Sequence, residues 1–119
     1  MFLLDVLDMA NKMRPNAAHD DIKVRLLFQN VEGDVADMLG MEPPEYEYNP
    51  NDPQDIELLM PSPYDDIYLW FLCAQIDIMN EESQLYADDM TVFNRAWARA
   101  QAYYRRQTRG FSKKNWRVF

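Results

Sequence analysis

Few residues in this chain are of a type that does chemistry. There is one histidine, His19, and one cysteine, Cys73. Without a second histidine or a cysteine pair, His19 has no transition-metal framework around it, and beside Asp20 and Asp21 it reads as an exposed turn residue. Cys73 lies within LWFLCA, where a thiol behaves as a small buried hydrophobe rather than a nucleophile. With three glycines and no GxGxxG, GxSxG or Walker-type run, there is no phosphate-cradling loop. The pairs Asp20–Asp21, Asp65–Asp66 and Asp88–Asp89 each stand where a helix is expected to begin, so capping accounts for them. A divalent-cation loop would need a denser cluster such as DxDxDG. No catalytic, metal or cofactor site is expected, and the favoured class is a non-enzyme.

Charge is the more informative signal. The net charge is −8, but all 20 acidic residues lie in residues 1–89, with only Lys12, Arg14, Lys23 and Arg25 against them. Residues 90–119 hold Arg95, Arg99, Arg105, Arg106, Arg109, Lys113, Lys114 and Arg117 and no acid. The first part therefore carries −16 and the second +8. So polarised a chain is expected to place its basic end against something negative: its own acidic part, a neighbouring copy, another protein or DNA. The acidic remainder repels DNA, and no helix-turn-helix spacing is present, so sequence-specific DNA binding is disfavoured.

At 119 residues the chain fits one domain with a modest core. Met1–Leu7 lacks a basic n-region, and Asp5 and Asp8 interrupt its apolar run, unlike a secretory signal. The longest apolar run, Ile67–Ala74, falls far short of the roughly 20 residues of a membrane span. A soluble protein with no membrane partner is expected.

The elements that must position these charges follow from periodicity. Leu3, Val6, Leu7, Ala10 and Met13 mark a short first helix that Pro15 ends. Val24, Leu27, Phe28, Val31, Val35, Met38 and Leu39 mark a second, from Asp20 to Leu39, with Gly40 at its C′ position. Gly33, inside that stripe, suggests close approach of another backbone. Residues 41–62 form an acidic, proline-rich loop with no periodic pattern, and Glu57–Met60 could be extended. Glu45, Tyr46, Glu47, Tyr48, Asp52 and Asp55 are its candidate contact residues, where Tyr46 and Tyr48 either anchor the loop or meet a partner.

The stretch from Pro63 to Arg106 reads as two long helices folded back on each other. Ser62 would cap the first, with Pro63 in its first turn. That helix is apolar over most of its circumference and belongs in the centre of a bundle. The last helix, to about Gln107, has Phe93, Ala96, Trp97, Ala100, Tyr103 and Tyr104 on one side and Arg95, Arg99, Arg106 and Arg109 on the other. Residues 110–119 read as a separate docking tail, in which Phe111, Lys113, Lys114, Trp116, Arg117 and Phe119 join the arginine face as partner-binding candidates. The expected fold is all-α: a bundle of about four helices over residues 1–109, built on a long antiparallel hairpin, with an extended C-terminal tail.

Several motifs carry a resemblance. LLMPSPYDDIY (Leu58–Tyr68), AQID (Ala74–Asp77), Asn80, Tyr86, FNRAW (Phe93–Trp97) and YYRR (Tyr103–Arg106) resemble the head–tail connector, or head-completion, proteins of tailed bacteriophages and prophages of Gram-positive hosts. RPNAAHDDIKVRLL (Arg14–Leu27) resembles the start of that family's second helix. One departure is Asn80-Glu81-Glu82 in place of Asn-Gly-Glu, which suggests that the third helix runs on toward the fourth. The resemblance implies a helical subunit of the virion neck, made in the host cytoplasm, that joins a ring, typically of twelve copies, beneath the portal. Its implied partners are the portal protein, adjacent copies and the next neck or tail protein, with packaged DNA close by. A stopper or tail-completion subunit, or a small helical regulator, is the alternative.

Overall fold

The computed structural model describes the backbone of residues 1–16 and 19–116 and the side chains of 1–16 and 19–107. It is all-α: α1 (Leu3–Met13), α2 (Asp20–Leu27), a π-helical turn (Phe28–Glu32), α3 (Gly33–Leu39), α4 (Asp66–Met79) and α5 (Ser83–Trp116). The π turn joins α2 to α3 through right-handed helical backbone at Phe28 and Gly33, so these three pieces form one rod, the second of four helices.

The first helix buries Leu3, Val6, Leu7 and Ala10 and ends at Arg14, where φ −131° and ψ 83° leave the helical region ahead of Pro15. The rod ends at Gly40 (φ 69°). There the Gly40 N–H reaches Asp37 O at 3.2 Å and the Met41 N–H reaches Ala36 O at 2.8 Å, the two bonds of a Schellman motif. Gly33 does not mark a close backbone approach: a Cβ there would meet only Phe28 O, at 3.9 Å.

The loop is fastened to the bundle rather than hung from it. Leu3 N–H donates to Ile56 O and Leu58 N–H to Met1 O, both at 2.9 Å, and Phe2 pairs with Glu57 in an isolated antiparallel bridge. The extended reading near Glu57 therefore holds, and it carries Leu58 and Met60 into the core.

Three expected helix starts need correction. Pro63 is not in the first turn of α4: the Tyr64 N–H closes a turn onto Pro61 O at 3.0 Å, and the helix begins at Asp66. Neither Asp65 nor His19, the actual N-cap positions of α4 and α2, makes a side-chain cap. Asp88 and Asp89 lie inside α5, past its first turn, where the backbone N–H groups already have helical partners.

The centre of the bundle is α4, which buries Ile67, Tyr68, Phe71, Leu72, Cys73, Ala74, Ile76 and Asp77 and packs against α1, α2 and α5. Each large apolar side chain removed from water contributes about 1.5–3 kcal/mol. The α4–α5 hairpin turns sharply, contrary to the expectation drawn from its missing glycine. Glu81 itself takes the left-handed conformation (φ 59°), and its N–H and that of Glu82 bond Ile78 O and Asp77 O at 3.2 and 2.8 Å, a second Schellman motif.

The last helix also differs from expectation. Its backbone stays helical to Trp116 instead of stopping near Gln107 ahead of an extended tail. No proline interrupts residues 107–116, the basic residues there suit the negative end of the helix dipole, and Gly110 costs only about 1 kcal/mol in a helix already nucleated. At about 1.5 Å per residue, its 34 residues account for most of the molecule's 58 Å long axis.

Candidate interaction surface

The outer side of α5 carries Arg95, Arg99 and Arg106, all exposed, while Ala96 and Ala100 are buried against the bundle. Phe93 and Trp97 stack at 6.4 Å on the inner side, Phe93 meets Phe71 at 5.9 Å, and Tyr103 meets Tyr64 at 5.1 Å. The two-sided helix read from the sequence is thus present. Arg99 Nη2 lies 3.2 Å from Asp66 Oδ2, an exposed pair of small energetic weight. Arg109, Phe111, Lys113, Lys114 and Trp116 lie on the α5 backbone with side chains outside the described residues, and Arg117 and Phe119 lie outside them altogether.

Among the loop candidates, Glu45, Glu47 and Asp52 are exposed. Tyr46 is an anchor: its ring stacks on Phe28 (5.3 Å, 14°) and its hydroxyl donates to Gln54 O. Tyr48 is half-buried against the core. Burial pushes both phenols up, with help from Tyr48 and Asp55 at Tyr46, and from Asp20 and Asp21 at Tyr48. Asp55, also exposed, has a structural role: its Oδ1 accepts from Leu4 N–H and Ile56 N–H at 3.0 Å. It caps the start of α1 from 51 residues away. Together α2, the π turn and the loop form an open cavity of about 390 Å³ lined by Val24, Phe28, Tyr46 and Tyr48 and by the exposed Asp21 and Glu47. A smaller apolar cleft of about 110 Å³ lies between Val31, Phe71, Met90, Phe93 and Trp97.

What positions these surfaces is a set of buried polar clusters that periodicity did not reveal. Arg14, at the end of α1, donates through Nε to Asp77 Oδ1 at 3.0 Å and through Nη2 to Asp89 Oδ1 and Oδ2 at 3.0 and 3.1 Å. Both aspartates are buried, and Asp77 Oδ2 has no bonded partner while both are ionised. Burial first, then Asp89, push the Asp77 carboxyl up to about 7, against the pull of Arg14.

In the second cluster the Tyr68 hydroxyl donates to Glu32 Oε1 at 2.6 Å and accepts from Met60 N–H at 2.8 Å, while Leu59 N–H donates to Glu32 Oε2 at 3.0 Å. This ties the π turn, the end of the loop and α4 together. Burial raises Glu32 although its hydrogen bonds oppose it, and burial with Glu32 holds the Tyr68 phenol far above its ordinary value. In the third, Lys23 Nζ, 1% exposed, donates to Asn11 Oδ1 and Asp20 Oδ1 at 2.6 and 3.2 Å and joins α2 to α1. The signal for Asp77 was a charge set between Ile76 and Ile78 near the end of a largely apolar helix. For Asp89 it was spacing, since Asp89, Phe93, Ala96 and Ala100 share one helical face.

Cys73 is fully buried and its thiol is pushed up to about 11, chiefly by burial. No group of three or more metal-ligating side chains occurs among the described residues, and none of their helices is long and apolar enough to cross a membrane. No known family, curated protein or solved structure matches the chain.

Proposed function

We propose that this chain is a structural subunit of a tailed-phage virion, a head–tail connector that packs into a ring beneath the portal, extends the DNA channel and joins capsid to tail. The observation that carries the proposal is the division of charge over the fold. Residues 1–89, which form the body and the start of α5, hold every acidic residue, while the arginine face and the basic end lie along one projecting helix. A carboxylate-lined channel repels phosphate and lets DNA pass without adhering, whereas a basic helix end is drawn to an acidic face of the portal or of the next copy. The motif resemblance from Leu58 to Arg106 points the same way.

The test is the virion itself. Mass spectrometry of purified particles should find the protein, and a cryo-EM map of the neck should place it as a ring against the portal. Deleting residues 110–119 should leave a folded body that no longer attaches to portal-containing heads. Absence from the virion would refute the proposal. A ring lying one level below the portal-bound one would make the protein a stopper instead.

A further inference from the structure

The cavity between α2 and the acidic loop combines three aromatic rings with two carboxylates. Phe28 and Tyr46 stack on each other, and Tyr48 and the exposed carboxylates of Asp21 and Glu47 line it with them. Such a site is suited to the flat, weakly hydrated head of an arginine, or to a lysine, which a ring face attracts and a carboxylate pairs. Burial and the nearby carboxylates keep both phenols protonated at neutral pH, so the rings remain neutral faces. Arg25 also lines the cavity and opposes an incoming cation, but the two carboxylates outnumber it.

We infer that this cavity receives a basic side chain from segment 105–117 of a second copy of the chain. The occupant follows from charge: residues 90–119 carry eight cations and no acid, against an excess of 16 acids in the remainder. The helix runs unbroken from Ser83 to Trp116, packs chiefly on α4 and, among the described residues, contributes none to the cavity wall, which favours a second copy as the source. The pairing is therefore head to tail, with each copy donating its helix end to the next. This deepens the proposed ring-forming function and rests on it for its setting.

The experiment mixes isotopically light and heavy full-length chains, one of them carrying a photo-crosslinking residue in place of the exposed Asn49, which lies beside Glu47 outside the cavity wall. Linked peptides joining position 49 of one isotope to 105–117 of the other are expected. Links confined to a single copy, or to other segments, would overturn the inference. In parallel, Asp21→Lys with Glu47→Lys should weaken self-association at low salt at least tenfold. Pairing that variant with an Arg105→Glu, Arg106→Glu chain should restore it, with circular dichroism confirming that each chain is folded. Unchanged self-association in the lysine variant, or none in the wild type, refutes the pocket. Either result leaves the virion test of the connector untouched, and absence from virions alongside a positive crosslink would remove the connector and keep the pocket.

Discussion

Replacing Asp77 by asparagine should change how stability depends on pH more than it changes stability at any one pH. Asp77 and Asp89 share the single guanidinium of Arg14 in a buried site, and burial and Asp89 raise the Asp77 carboxyl from its ordinary 3.8 to about 7. A raised carboxyl favours the folded state while it stays protonated, so its contribution is complete below about pH 4 and falls as pH rises toward 7. In that window the unfolded chain has released its proton and the folded chain has not. The loss accrues at no more than about 1.4 kcal/mol for each pH unit across that window and then levels off. Asparagine cannot ionise, so Asp77→Asn removes this dependence while keeping an acceptor for Arg14 Nε. Urea unfolding of both proteins from pH 4 to 8.5 should show the wild type losing ground to the variant up to about pH 7 and then running parallel. Parallel curves throughout would refute the reasoning. Arg14→Met provides the complement: it strands two buried carboxylates and should cost about 3–5 kcal/mol at pH 8, with a smaller cost at pH 5.

Glu81→Gly should stabilise the fold by about 1 kcal/mol in chemical denaturation, since it removes a side chain from a left-handed position. Gly33→Ala should gain a similar amount, because the site is helical and open to a methyl group. Tyr68→Phe leaves Met60 N–H and a buried Glu32 oxygen without their partner and should cost about 2–3 kcal/mol, read as a lower urea midpoint. Cys73 should react with a thiol reagent at neutral pH only at the rate of unfolding, and fast labelling of native protein would contradict its burial.

The helices were legible because their apolar residues recur at the helical period, and the central place of α4 followed from its being apolar nearly all round. Periodicity sorts residues by hydropathy, so it left Lys23, Glu32, Asp77 and Asp89 out of the core, although all four are buried. Apart from the Lys23–Asp20 pair, their partners lie 12 to 75 positions away, beyond the reach of a local window. The aspartate pairs misled for a related reason. A cap needs non-helical backbone at the capping residue, and composition cannot tell Asp65, before a helix, from Asp89, inside one. The turn at Glu81 was misread because a glycine was expected where a strained glutamate serves. Of the candidate surface, the exposed positions of Arg95, Arg99 and Arg106 were readable from helical spacing. The loop was readable only in part, since nothing local distinguishes Glu47 from Asp55, equally exposed but bonded to the start of a distant helix.

The way the loop is fastened bears on how anything would bind it. Tyr46 on Phe28, Asp55 on α1, the pairing at Phe2 and Glu57, and the Glu32–Tyr68 bond to residues 59 and 60 hold it at intervals along its length. Fixing the backbone of one residue costs about 1–2 kcal/mol, and here folding has already met that cost before any encounter. A partner would meet Glu45, Glu47 and Asp52 as a preorganised array of charges. Affinity would then be set by the contacts made rather than by the entropy of ordering a chain.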